Sequence, residues 1–157
     1  MKKKKFKIGL FGINSDSGLS LTTAKERWFA DVGRLKKLIK FSDKHIDFIL
    51  PLSKWRGWGG KTDPNALSYE TLTFASYFGA MTKKLYFFST IHVPFIHPVY
   101  ASRCLSTIDH SSNGRVGLNI VCGWSKDEFD MFGEFNYDKD KRYIHGEEWV
   151  KIMKSLL

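Results

Sequence analysis

Four apolar runs punctuate the chain, and each is followed by a stretch with helical periodicity. FKIGLFGI (6–13), IDFILPLS (46–53), LYFFSTIHV (85–93) and RVGLNIVC (115–122) have the composition of short buried strands. Residues 25–44 place Trp28, Val32, Leu35 and Ile39 on one stripe and Lys36, Lys37 and Lys40 outside it. That pattern predicts an amphipathic helix with Gly33 near its middle, a placement that costs roughly 1 kcal/mol relative to Ala. Ser68 predicts an N-cap, with Glu70 in the first turn, for a second helix carrying Leu72, Ala75, Phe78 and Met81. Pro98 suits the first turn of a third helix, reaching about Ile108, and NGR (113–115) marks the turn into the fourth strand. Residues 14–23 and 123–138 predict loops, and 139–157 a closing helix.

Strands that are apolar throughout, alternating with amphipathic helices, imply an α/β fold: a parallel sheet covered by helices. Both a doubly wound sheet and a barrel satisfy the pattern. A full eight-fold barrel takes ~250 residues, so four β-α units make half of one, and 1–157 would then be a single (β/α)4 half-barrel domain. In either topology the loops leaving the C-terminal strand ends carry function. Here those loops (14–24, 53–67, 90–97 and 122–138) collect Lys54, Trp55, Arg56, Thr90, His92, His97, Trp124, Lys126 and Glu128.

These residues read two ways. His92 and His97 are either satisfied structural histidines or ligand and acid–base groups. Asn119 sits within an apolar strand, where an unpaired amide costs roughly 1–3 kcal/mol, so a ligand or a neighbouring backbone must hydrogen-bond it. Glu128 reads equally as a solvated carboxylate, and Arg142 with Tyr143 as the exposed first turn of the last helix. No Ser-His-Asp or Cys-His order and no carboxylate cluster for a metal is evident.

Composition narrows the class. Of 157 residues, 43% are hydrophobic and 15% aromatic, with 13 Phe, which suits a globular domain with a bulky interior or an aromatic-lined cleft. The net charge of +9 raises the question of a polyanionic partner. Part of it is the opening MKKKKFK and no nucleic-acid-binding motif accompanies it, so a solvated basic surface is expected and no nucleic-acid partner. Cys104 and Cys122 lack metal or redox spacing, as expected of thiols in a reducing cytoplasm. The apolar run IGLFGI ends too soon, at Asn14 and Asp16, for a secretory leader, and no stretch is long enough for a membrane span. A cytoplasmic location is expected.

One stretch invites a different reading. KWRGWGGKT (54–62) ends like a nucleotide-binding P-loop. Such a loop needs a glycine five residues before its Gly-Lys-Thr, where this chain has Trp55, and it should open into a helix, where this chain has Asp63 and Pro64. The glycines therefore serve another purpose.

KWRGWGGKT, TIDHSSNGRVGLNIVCGWSKDEFD and KRY together resemble the luciferase-like flavin-dependent monooxygenases, in motif the pyrimidine and dialkyl-sulfone monooxygenases of that family. The resemblance runs from the first strand to the last helix. It implies the N-terminal half of a (β/α)8 TIM-type barrel, since the relatives are more than twice this length. It also implies reduced FMN supplied by a separate NAD(P)H-dependent flavin reductase, O2, and transfer of one oxygen atom to a small nitrogen- or sulfur-containing substrate. By motif position, flavin contacts fall on Ser53, Lys54, Asn119, Glu128, Arg142 and Tyr143. Thr90 falls near the oxygen-reaction side of the ring, Thr90 and Asn119 are the catalytic candidates, and Trp55, Trp58 and Trp124 are candidate aromatic walls. A four-strand half leaves sheet edges and apolar surface uncovered, which implies a homo-oligomer or association with a second half-barrel chain. It also lacks the phosphate-binding end of a barrel, so weakened FMN binding, and a flavin-binding fragment without activity of its own, is the alternative expectation.

Overall fold

A computed structural model describes residues 6–133 and 138–157; most of the basic MKKKKFK segment and part of the 123–138 loop lie outside them. The strands are β1 (Gly9–Phe11), β2 (Phe48–Leu50), β3 (Tyr86–His92) and β4 (Val116–Val121). They form one parallel sheet in the order β1-β2-β3-β4. Each crossover carries a helix: α1 (Val32–His45), α2 (Thr71–Met81) and α3 (Pro98–Ser112). A short α4 (Lys126–Met131) and a long α5 (Lys139–Leu156) follow β4. Sequential neighbours throughout is the order of barrel units and not of a doubly wound sheet, which reverses direction part-way.

The core lies between the sheet and the helices. Ile49, Phe87 and Ile91 point from the strands into a layer formed by Leu35, Ile39, Phe74, Ala75, Phe78, Ala101, Leu105 and Ile108, with Trp149 and Met153 of α5 closing it. The opposite face is uncovered. Phe48 lies over Gly9, where a Cβ would meet its ring at 2.2 Å, and Phe88 lies over Gly117, where one would meet the ring at 2.6 Å. The two rings meet edge-to-face with centroids 5.5 Å apart. With Leu50, Tyr86, Leu118 and Asn119 they line a concavity of about 600 Å³.

Five expectations shift. The first helix begins at Val32 and not at residue 25, because tertiary bonds hold the preceding segment out of the helix. Trp28 Nε1 donates to the Ile13 carbonyl at 2.9 Å, Ala30 N–H donates to Asp16 at 2.7 Å, and Asp31 caps the helix. Gly33 therefore sits in the first turn, where the mid-helix penalty does not apply. Glu70, not Ser68, caps α2, its carboxylate accepting from Leu72 and Thr73 N–H at 2.8 and 2.7 Å. Ser68 instead bridges to Ser15 in antiparallel fashion. Part of the predicted 123–138 loop forms α4, and α3 runs on to Ser112, where Asn113 ends it at φ 58°.

At the N-terminal end of β4, buried Arg115 donates to the carbonyls of Gly79, Thr82 and Leu85 and to the Thr82 hydroxyl, at 2.7–3.0 Å. It ties β4 to the end of α2 and the start of β3. Among the described residues no helix is long and apolar enough to cross a membrane, and no group of three metal-ligating side chains converges.

Candidate functional site

The polar residues singled out in the sequence gather at the C-terminal ends of β2, β3 and β4. Lys54, just after β2, meets Glu128 of α4 at 2.9 Å, with side chains 8% and 2% exposed. Glu128 is thus no solvated carboxylate. Its Oε1 also accepts the Trp55 main-chain N–H at 2.9 Å. Trp58 and Trp124 flank the ammonium, ring centroids 4.7 and 5.2 Å from Nζ, so the cation is held by charge and by two π faces. One of three Nζ donors is spent on Glu128, leaving two.

Thr90 and Asn119 are register partners on β3 and β4, so their side chains share a face of the sheet. Asn119 Nδ2 donates to Thr90 Oγ1 at 3.2 Å, and that hydroxyl donates to the Pro51 carbonyl at 2.6 Å. Within the chain the partner of Asn119 is thus a side-chain hydroxyl and not a neighbouring backbone group. The relay fixes Asn119 on the rim of the uncovered face, one amide hydrogen and the carbonyl oxygen still unengaged among the described residues. The Thr90 carbonyl accepts from Thr71 Oγ1 at 2.6 Å, which docks the start of α2 on β3.

The histidines divide. His97 caps α3, its ring accepting from Val99 N–H at 3.2 Å, which is a structural role. His92 ends β3 and is buried beside the Lys54–Glu128 pair. Its Nδ1 stands 3.2 Å from Trp55 Nε1 and 3.5 Å from Ser53 Oγ. Burial holds its pKa below the ordinary histidine value, Glu128 opposing that shift and Lys54 adding to it.

The remaining candidates reach this rim unequally. Gly146 of α5 packs against Cys122, where a Cβ would meet Sγ at 2.6 Å, and brings the start of α5 to the end of β4. Arg142 there donates through Nη1 to the Gly123 carbonyl. Its Nε is buried with no hydrogen-bond partner among the described residues. Tyr143 is 63% exposed. Trp58 and Trp124 are both 58% exposed, with centroids 5.4 Å apart, and so present aromatic surface. Trp55 is held more firmly: both its N–H groups are committed, and its ring packs edge-on to Phe95 and Phe132.

The glycine loop has its own reason. Gly59 and Gly60 both have φ 72°, and a Cβ on Gly57 would meet the Ala66 backbone at 2.9 Å. Asp63 accepts from Gly59 N–H and Asn65 from Trp58 Nε1, at 2.6 and 3.1 Å. Asn65 then donates to Ser15 Oγ and the Gly18 carbonyl, at 2.8 and 2.7 Å. Asn14 similarly bridges Leu52 and Tyr69. The loop is thereby nailed to the one after β1. Sequence reasoning passed over Asn14 and Asn65; their signal was an amide directly after an apolar strand and another closing a glycine loop.

A family match runs over residues 20–157, described as luciferase-like monooxygenase. The chain belongs to that family. A relative with 33% identity is the pyrimidine monooxygenase RutA of Acinetobacter baylyi, aligned over 96% of this chain and 42% of its own length. The luciferase-like chain thus spans less than half the length of the curated relatives it matches. Among solved structures, riboflavin lyase RcaE, described with a modified FMN and riboflavin, superposes with a TM-score of 0.81 at 21% identity over 96% of this chain and 37% of its own. The EDTA monooxygenase EmoA of a Chelativorans species does so with a TM-score of 0.79 at 17% identity over 96% and 36%. At such identities the two structures establish the fold: the four units are those of a TIM-type barrel of this family.

Proposed function

We propose that this chain forms the FMN-binding rim of a flavin-dependent monooxygenase that oxygenates a small nitrogen- or sulfur-containing compound in the cytoplasm, with reduced FMN delivered by a separate NAD(P)H-dependent reductase. The observation that carries the reading is the buried Lys54–Glu128 pair standing beside the Thr90–Asn119 relay at the C-terminal strand ends. Family membership supports the chemistry, RcaE's description with a modified FMN supports the cofactor, and two free cysteines suit a reducing compartment.

The residues present fit a flavin. Lys54 retains two donors, Asn119 one donor and an acceptor, and Arg142 an unpartnered Nε, all suited to the carbonyls and ring nitrogens of an isoalloxazine or to a phosphate. When bound, reduced FMN supplies the two electrons with which O2 gives one oxygen atom to the substrate and the other to water. The protein's share is placement. Glu128 holds Lys54 in position, and Trp55 N–H holds Glu128. Thr90 orients the Asn119 amide towards the uncovered face, Ser53 borders the rim beside His92, Tyr143 would meet the flavin from the first turn of α5, and Trp58 and Trp124 offer apolar walls that exclude water. Purified chain, FMN, a flavin reductase and NADH should give substrate-dependent product; absence of any flavin binding at high-micromolar FMN contradicts the reading.

The uncovered inner face favours a second reading, a flavin-binding or assembly module that does not turn over alone. Phe11, Tyr86 and Phe88 are exposed there, and 1–157 as a single half-barrel domain would cover them by forming a homo-oligomer or by pairing with a second half-barrel chain. Mass in solution measured alongside turnover separates the two: an active monomer rules the second out.

A further inference from the structure

We propose that His92 is a positioning residue: a neutral imidazole with its proton on Nε2 that latches Trp55 through the indole and so sets the Trp55 main-chain N–H on Glu128. The geometry fixes the tautomer. An indole N–H can only donate, and it stands 3.2 Å from His92 Nδ1. Nδ1 must therefore offer its lone pair, and in a neutral ring the proton resides on Nε2. The Ser53 hydroxyl, 3.5 Å from the same nitrogen, can donate to it as well. The ring is 4% exposed, and Phe95 closes on it edge-to-face at 5.5 Å.

One residue thus carries two linked tasks. Trp55 spends its side-chain N–H on His92 and its main-chain N–H on Glu128, and Glu128 in turn holds Lys54. Protonating Nδ1 replaces an acceptor with a donor that faces the donor-only indole N–H, while the Ser53 hydroxyl can turn to accept from it. The indole is then released, and the Trp55–Glu128–Lys54 chain loses its fixed end. The charged groups facing the ring are Glu128 of α4, which favours the imidazolium, and Lys54 after β2, which opposes it. Ser53, Trp55 and Phe95 supply only neutral contacts. Burial is the largest influence and favours the neutral ring, so the latch opens below the ordinary histidine value.

The flavin arm of the test rests on the function proposed above; the structural arm does not. Imidazole 15N spectra of the whole chain, with the Trp55 indole resonance assigned through Trp55→Phe, are followed from about pH 8 to about pH 5. The latch predicts the Nε2–H tautomer and an indole shift sharing the His92 midpoint. His92→Asn, whose Oδ1 can stand near the site of Nδ1, should keep the latched indole position without the titration; His92→Phe should lose it at every pH. In FMN titrations His92→Phe should bind about tenfold more weakly than wild type at neutral pH, the scale of one lost hydrogen bond. His92→Asn should match wild type there and, unlike it, keep its affinity in acid. An Nδ1–H tautomer, or an indole that ignores His92, overturns the latch. A flat wild-type FMN profile through the His92 midpoint overturns its bearing on the site. Failure of the wild type and both variants alike to bind FMN contradicts the flavin reading, and the spectra still decide the latch.

Discussion

A lysine and a glutamate separated by more than seventy residues share one buried contact, and that pair organises the rim. Removing one partner leaves the other charge buried and alone. Glu128→Gln or Lys54→Met should each destabilise the fold by about 3–5 kcal/mol, whereas the double variant should recover most of that loss. Urea unfolding of the three variants checks it; additive losses would mean that the pair is not coupled. Thr90→Val removes both the acceptor of Asn119 Nδ2 and the donor to the Pro51 carbonyl. A loss of about 1–3 kcal/mol is expected in the same assay, with FMN affinity falling as Asn119 loses its orientation. At this scale the sequence exposed identities but not partners. Asn119 was legible as an amide that needs a bond, because it interrupts an apolar strand. That its partner is the Thr90 hydroxyl depends on strand register, which local pattern leaves open.

The alternation of apolar strands and helices was legible because both periods are strong and the sheet is buried on its helix side. Element ends were not, because tertiary bonds decide them. Trp28 and Ala30 are tied to partners in the loop after β1, so a stripe that reads as helical from residue 25 becomes one only at Val32. The β-strand entrances show the same dependence. Asp43 of α1 accepts three main-chain N–H groups, from Lys83, Lys84 and Leu85, at 2.8–3.1 Å. Burial raises its pKa, but the three donors outweigh burial and the net shift is downward. A depressed carboxylate stabilises the fold above its unfolded pKa of about 3.9, and that contribution is lost as pH falls through the lower folded value. The stability gap between wild type and Asp43→Ala should therefore be constant from neutral pH to about pH 5 and shrink below about pH 4, as thermal melts across that range would show. At the start of β4, Arg115→Ala would orphan three carbonyls and should cost about 3 kcal/mol or more, with a matching drop in urea midpoint.

On the scale of the whole molecule, one sheet face is packed by helices and the other holds a concavity of about 600 Å³ edged by aromatic rings. The rim that gathers Lys54, Glu128, Thr90, Asn119 and His92 stands at the C-terminal edge of that sheet, the functional end of a βα-barrel. The family was legible in the GR-G-N-V-GW stretch and the glycine loop, where Gly59, Gly60, Gly114 and Gly123 hold positive φ and Gly117 leaves room for Phe88. The coupling of His92 to Trp55 was not, since a histidine at a strand end carries no sign of its tautomer. This rim is expected to hold FMN. The most direct measurement is a calorimetric titration of FMN into the wild-type chain and into the Lys54→Met, Glu128→Gln double variant, which the ion-pair argument expects to stay folded. Saturable binding by the wild type, weakened about tenfold or more in the double variant, is the predicted result. Equal affinity in the two chains, or no saturable heat at high-micromolar FMN in the wild type, would contradict it.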